Sequence, residues 1–307
     1  MRLLELIVAA TCAIGGQALA FPEVRAKVVF LRGNELFSAN ADGTGLQQLT
    51  HDGIPKSNPT WSPRGDKIAY LVAQDQTPDS SSRGEIIIIT ASGQPVSLVP
   101  VLAREPDGTI VGGLRFIEGI GWSDEMNVFA TGSANPYVAE CRVMDGGSGR
   151  VITSYFGTGF SACPTRGEIA YFDRTNSQLS LFVNNKALPI SKTLFTTESV
   201  PTSIEWSATC DRLALAVKNG AKVNFVVLRE GSIESRNEQS KDNWTLAQWR
   251  NTFLVRSFDR VLIYDAGKRA FRAAPEEGHA LDLQRNERNA IVQKLGGHAP
   301  HWWSPRQ

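Results

Sequence analysis

The chain has 307 residues, 42% of them hydrophobic, enough to bury a substantial core and too many for a disordered chain. Thirty-two basic residues against 31 acidic leave a net charge of +1. No block of like charge is available to hold a phosphate backbone or an anionic membrane, so nucleic acid is not an expected partner.

Residues 1–20 read as an export signal: Arg2 gives a basic start, an apolar run follows from Leu6 to Ile14, and Ala18, Leu19 and Ala20 form a cleavage site. The run is shorter than the roughly 20 residues a membrane span needs. Cys12 follows Ala9, Ala10 and Thr11, a poor lipobox, so lipid attachment is not expected. The mature domain is then 21–307. It keeps Cys141, Cys163 and Cys210, for which one bridge plus a free thiol is possible and buried unpaired thiols are the plainer reading. No C-x-x-C spacing points to zinc or to a redox pair.

Next come three strands, "KVVFLRG", "ELFSANADGTG" and "LQQLT", with Asp42-Gly43 supplying the positive φ of a tight hairpin turn. "WSPRGDKIAYLV" from Trp61 then recurs as "WSDEMNVFATG" from Trp122 and "WSATCDRLALAV" from Trp206. Each has a strand ending in Trp-Ser, a polar turn, and an apolar strand opening at Ile68, Val128 or Leu213, which is a hairpin pattern. "SACPTRGEIAYFD" fits with Cys163 in the tryptophan place, and "AQWRNTFLVRS" fits more loosely. The anchors Trp122, Cys163, Trp206 and Trp249 are 41, 43 and 43 residues apart, and such periods with four short strands per unit mark β-propeller blades.

"GEIIIITASG", "VNFVVLREG" and "RVLIYDAGKRA" read as third strands, Asp145-Gly146 and Ala266-Gly267 as further hairpin turns, and residues 74–83 as a long polar loop. "LDLQRNERNAIVQKL" from Leu281 resembles one more strand pair and leaves a seventh, incomplete blade as the alternative. "APHWWSP", with Trp303 in the tryptophan place, is a first strand with no successor, whereas Lys27 to Arg32 is a second strand with no predecessor. The expected fold is therefore all-β, a six-bladed β-propeller closed by pairing of the C-terminal and N-terminal strands, which satisfies two otherwise open sheet edges.

Asp42-Gly43, "LQQLT", Pro59 and "WSPRGDKIAY" together resemble the WD-like repeat of the TolB propeller family, best over about residues 27–72 and more weakly through the mature chain. The resemblance implies a propeller. It leaves function open, since the family's repeat serves periplasmic binding proteins, propellers attached to serine peptidases and some polysaccharide-degrading enzymes. TolB also carries an α/β domain before its propeller, and the short distance from Ala20 to Lys27 leads us to expect propeller alone here.

Little in the sequence looks catalytic. "GGSGR" from Gly146 departs from the G-x-S-x-G elbow at Arg150 and reads as a turn. The repeated tryptophans read as packing between blades rather than sugar platforms, and Trp244 and Trp302 as the better candidates for contact. His51, His279 and His301 form a possible metal set, but His298 and His301, three apart on a flat strand, point to opposite faces, so scattered histidines are the plainer reading.

In propellers of this resemblance, ligands meet the loops entering first strands and the loops joining second to third. Those loops carry His51, Asp52, Lys56, Arg104, Glu105, Arg174, Glu198 and His301, a mixed-charge rim suited to a polar peptide or protein loop. The expected function is an exported, periplasmic, monomeric and non-catalytic protein- or peptide-binding module of the cell envelope, with no cofactor and no membrane span. A metal-dependent polysaccharide-degrading enzyme and a structural subunit of an envelope assembly are the rivals.

Overall fold

The computed structural model describes residues 27–74, 83–104, 110–114, 116–135, 138–175, 178–240, 244–249, 252–257, 260–274 and 289–303. The proposed signal, the loop tip at 75–82, Glu105 and His279 lie outside them. The described residues form six four-stranded antiparallel sheets, each a run of hairpins. From inner to outer strand, sheet 1 takes His298–Trp303, Lys27–Arg32, Glu35–Asn40 and Gln47–Gln48. Sheet 2 takes Lys56–Trp61, Lys67–Gln74, Arg83–Thr90 and Pro95–Pro100; sheet 3 takes Phe116–Trp122, Asn127–Asn135, Val138–Asp145 and Val151–Phe156. Sheet 4 takes Thr158–Cys163, Glu168–Thr175, Gln178–Val183 and Lys186–Ala187; sheet 5 takes Val200–Trp206, Arg212–Asn219, Lys222–Arg229 and Ser232–Ser240. Sheet 6 takes Thr245–Trp249, Thr252–Arg256, Val261–Asp265 and Ala270–Ala273.

Strand His298–Trp303 pairs with Lys27–Arg32, Val28 standing opposite Trp302 and Lys27 opposite Trp303, so one sheet joins the two ends of the described chain. In the extra strand pair read from Leu281, the second strand is instead helical over residues 289–294, with Val292 packed on Val28 and Phe30, and residues 281–288 lie outside the described ones. The spaced apolar residues Ile291, Val292 and Leu295 serve one helix face as well as they would a short strand, which is why periodicity misleads there.

Register also moves three of the sequence anchors by one residue. Trp61 stands opposite Ile68, Trp122 opposite Val128 and Trp206 opposite Leu213. The residues in that same place are Ala162 opposite Ile169, Gln248 opposite Phe253 and Trp302 opposite Val28. Cys163, Trp249 and Trp303 therefore hold the serine place in the register, and because strand side chains alternate, the one-residue slip reverses the face that Cys163 presents. Cys163 accordingly belongs to the core between sheets 4 and 5, while Ala162 packs toward sheet 3.

The serine place has its own role. Ser62 Oγ accepts from the Lys67 N–H (3.0 Å) and donates to Asp66 (2.7 Å), and Ser207 Oγ repeats this with Arg212 (3.1 Å) and Asp211 (2.9 Å). Cys163 instead forms a disulfide with Cys210, in the turn that follows Trp206 in sheet 5. Cys141 is a buried free thiol. The plainer reading of three unpaired thiols is thus overturned, since the turn of sheet 5 brings Cys210 to within 5.7 Å of Cys163, Cα to Cα.

Turn chemistry holds in part. Gly43 has φ +84°, but the later signals misplace the left-handed residue, which is Gly149 (φ +72°) after Asp145 and Arg269 (φ +50°) after Asp265. In both turns the aspartate accepts backbone N–H bonds two and three residues on, which widens the turn by an Asx-type closure. Bulges mark five of the six inner strands, and the extra residue is always on the inner strand. Pro59, Pro201 and Pro300 sit in or beside three of them, because a bulge on a free edge tolerates a residue without an N–H. The bulge between His298 and His301 also removes the flat-strand geometry on which their opposite orientation was argued.

Candidate functional site

The Trp-Ser ends of the inner strands converge on one cavity of about 530 Å³. Its wall is built by Trp61 and Ser62 of sheet 2, Gly121, Trp122 and Phe129 of sheet 3, Phe160 to Ala162 of sheet 4, Trp206 and Ser207 of sheet 5, and Gln248 of sheet 6. Five sheets therefore share it, which places it on their common axis. Gly121 is required there, since a Cβ would lie 2.6 Å from the Phe129 ring. None of the described lining residues is charged. The wall is aromatic with hydroxyl and amide groups, suited to a polar peptide segment.

The tryptophans are wall rather than platform. Trp61 and Trp122 are 4% exposed and Trp206 is 9% exposed. Each packs on the preceding sheet, Trp122 among Leu71, Ile86 and Ile88 and Trp206 among Leu179, Leu181 and Phe195. Trp244 is also packed, edge-on to Phe225 at 5.7 Å, with its indole N–H donating to the Ser240 carbonyl.

The rim residues lie at the other end of the inner strands. Lys56 is fully buried: its Nζ donates to the Asn34 and Ile54 carbonyls at 3.1 and 2.8 Å and pairs with Glu35 and Asp52. Burial alone would raise the Glu35 carboxyl, but Thr50, the Gly53 N–H and Lys56 outweigh it and hold the group below its ordinary range. Burial opposes ionisation of Asp52 in the same way, and bonds from Lys56 and the Ile54 N–H hold it low. Arg174 donates to the Ser199 carbonyl at 2.6 Å. Both cations tie the turn joining second and third strands of one sheet to the segment entering the next, so this end of the molecule is laced by charge.

His51 and Glu198 are exposed in those entering segments. Arg104 ends the first strand of a small hairpin, Leu102–Arg104 with Ile110–Gly113, between sheets 2 and 3, and His301 stands opposite Val29 in sheet 1. Among the described residues no three His, Cys, Asp or Glu side chains group as metal ligands, and no helix is long and apolar enough to cross a membrane.

Sequence reasoning passed over Glu205. It precedes Trp206 as Thr60 and Gly121 precede Trp61 and Trp122, and a charged residue in a place otherwise held by small or neutral ones is a legible signal. Among the described residues Glu205 has no hydrogen-bond or ion-pair partner, and burial pushes its carboxyl from 4.5 to about 7. The fold therefore prefers the protonated form. A penalty sets in as pH rises above the unfolded value and is complete above pH 7, roughly 3 kcal/mol in size. Glu205→Gln is expected to raise stability by up to that amount at pH 8 and to change it little at pH 4, measured by urea unfolding at both values.

No family model matches the sequence, and no curated protein matches it. Solved structures do. Dipeptidyl peptidase 4 of Porphyromonas gingivalis aligns over 88% of this chain and 45% of its own, at 9% identity and a TM-score of 0.54. Hsv2 of Kluyvelomyces marxianus aligns over 78% of this chain and 68% of its own, at 13% identity and a TM-score of 0.52. TolB from Acinetobacter baumannii aligns over 82% of this chain at 17% identity and a TM-score of 0.44, and this chain spans 64% of that protein's length. Likeness at such identities speaks for the fold alone, and that fold is a β-propeller.

Proposed function

We propose that the chain is an exported β-propeller of six blades, closed through the pairing of strands His298–Trp303 and Lys27–Arg32, that acts in the cell envelope as a non-catalytic protein- or peptide-binding module. The axial cavity is its seat, and a peptide segment of a partner enters between the Trp-Ser turns. The observation that carries this reading is the aromatic and hydroxyl wall, uncharged among the described residues, that five sheets supply around one space. Export is supported by the leader-like residues 1–20 and by the Cys163–Cys210 disulfide, a bond kept in oxidising compartments. The resemblance of the first repeat to the TolB family supports the same setting.

A photo-crosslinking side chain placed at Gln248, which is exposed on the cavity wall, tests it against the rim at the opposite end. The expected result is a discrete adduct with an envelope protein from Gln248, lost when Ala208→Trp fills the cavity, and no adduct from the same group at Glu198. Adducts only from Glu198 would move the site to the rim. Turnover of a polysaccharide that needs a metal would replace binding with catalysis.

A further inference from the structure

The seam between sheets 5 and 6 is lined by Ala214, Ala216, Phe225, Leu246, Phe253 and Val255. Ser203 stands opposite Ala216 and Glu205 opposite Ala214 in the sheet 5 ladder. Directly paired residues share a face, so both polar side chains point into this apolar seam. The Ser203 hydroxyl oxygen is buried with no hydrogen-bond partner, and Glu205 has none among the described residues. Buried polar groups are nearly always paired, so an unpaired buried hydroxyl with an unpaired, half-buried carboxylate on the same face marks a place where something else supplies the partner.

That place adjoins the axial cavity. Trp206 and Ser207 continue the same strand into the cavity wall, and Gln248, two residues beyond the seam residue Leu246, lines it from sheet 6. Among the described residues, the cavity wall holds no charged side chain that could answer Glu205. We propose that Ser203 and Glu205 receive a primary ammonium group on the segment that occupies the axial cavity, an inference that rests on the binding function proposed above.

The choice of ammonium follows from the two acceptors. An ammonium carries a full positive charge and three rotatable donors, which reach a carboxylate and a hydroxyl two residues apart. A guanidinium needs coplanar acceptors for its fixed fork. A metal ion needs more ligands than one carboxylate and one hydroxyl provide. Because the empty site holds Glu205 protonated up to about pH 7, ammonium binding releases a proton below that value and strengthens as pH rises.

The test uses the full chain and three blocked or free tripeptides: acetyl-Ala-Lys-Ala-amide, its Nζ-acetylated form, and Ala-Ala-Ala-amide with a free amino terminus. Binding is followed by tryptophan fluorescence and by NMR titration of the Glu205 carboxyl. One of the two ammonium probes is expected to bind at pH 8, to weaken about tenfold per pH unit below 7, and to lower the Glu205 pKa; which one binds identifies a lysine side chain or an amino terminus as the source. Nζ-acetylation of a lysine ligand, or Glu205→Gln, is expected to weaken binding at least tenfold. Equal binding of the acetylated probe, no binding of either amine, or an unchanged affinity in Glu205→Gln overturns the inference. If the Gln248 crosslink survives in Glu205→Gln, the binding function stands and the ammonium site alone falls.

Discussion

Trp122→Ala is expected to lower the unfolding free energy by about 3 to 5 kcal/mol. The indole is almost wholly buried, and it fills the space between sheets 2 and 3 against Ala69, Leu71, Ile86, Ile88 and Val99. Its N–H also donates to the Thr60 carbonyl at 3.3 Å, so one side chain supplies both the packing and a hydrogen bond across the seam. Collapse around the vacancy is limited, because backbone ladders hold the sheets on either side. Trp122→Phe should keep most of the packing and lose the hydrogen bond, at a cost of roughly 1 kcal/mol. Urea titration gives both numbers. A loss below 1 kcal/mol for the alanine variant would mean that the seam does not depend on the indole.

The second large effect belongs to the Cys163–Cys210 bridge, whose cysteines are 47 residues apart. Removing it with Cys163→Ser and Cys210→Asn is expected to cost about 4 kcal/mol, on the loop-entropy account of a cross-link of this length. Asparagine is chosen because Cys210 has φ +56°, a conformation it tolerates better than most residues. The serine does not rebuild the turn made by Ser62 and Asp66, because Gly167 stands four residues after position 163. Comparing oxidised, reduced and doubly substituted protein by urea unfolding separates the bridge from the substitutions. Cys141 offers no replacement partner: burial pushes its thiol to about 12, so it stays protonated and unreactive at neutral pH.

Much of this architecture is legible in the residues. The hairpin grammar from Trp61, Trp122 and Trp206 finds the inner and second strands, and "KVVFLRG" with "APHWWSP" finds the sheet that the two chain ends build together. What fails is register by one residue. Cys163 and Trp249 look like the tryptophan of the repeat because they are large or apolar, but the ladder assigns that place to Ala162 and Gln248. Sequence similarity weighs chemical type, whereas the face of a strand is decided by parity, and parity is invisible once a bulge adds a residue.

The site was less legible than the fold for a related reason. Lys56 and Arg174 look like free rim cations, yet their charges are spent on carbonyls and carboxylates of the adjoining loops. The cavity wall is made of serine, glycine and aromatic residues that read as ordinary strand ends until five sheets bring them together. Glu205 carried a signal, a carboxylate beside a repeated tryptophan, but its isolation is a property of the seam and of no single strand.

The pairing of Lys27–Arg32 with His298–Trp303 has a consequence for biosynthesis. About 265 residues separate the two strands, so at ordinary elongation rates sheet 1 waits roughly 13 to 50 s after its second strand emerges from the ribosome before its innermost strand exists. Through that interval a strand of Val28, Val29, Phe30 and Leu31 offers an unpaired apolar edge. Until the last strand exists, that edge stays open to pairing with other strands, so a chain cut short before His298 is expected to associate through it.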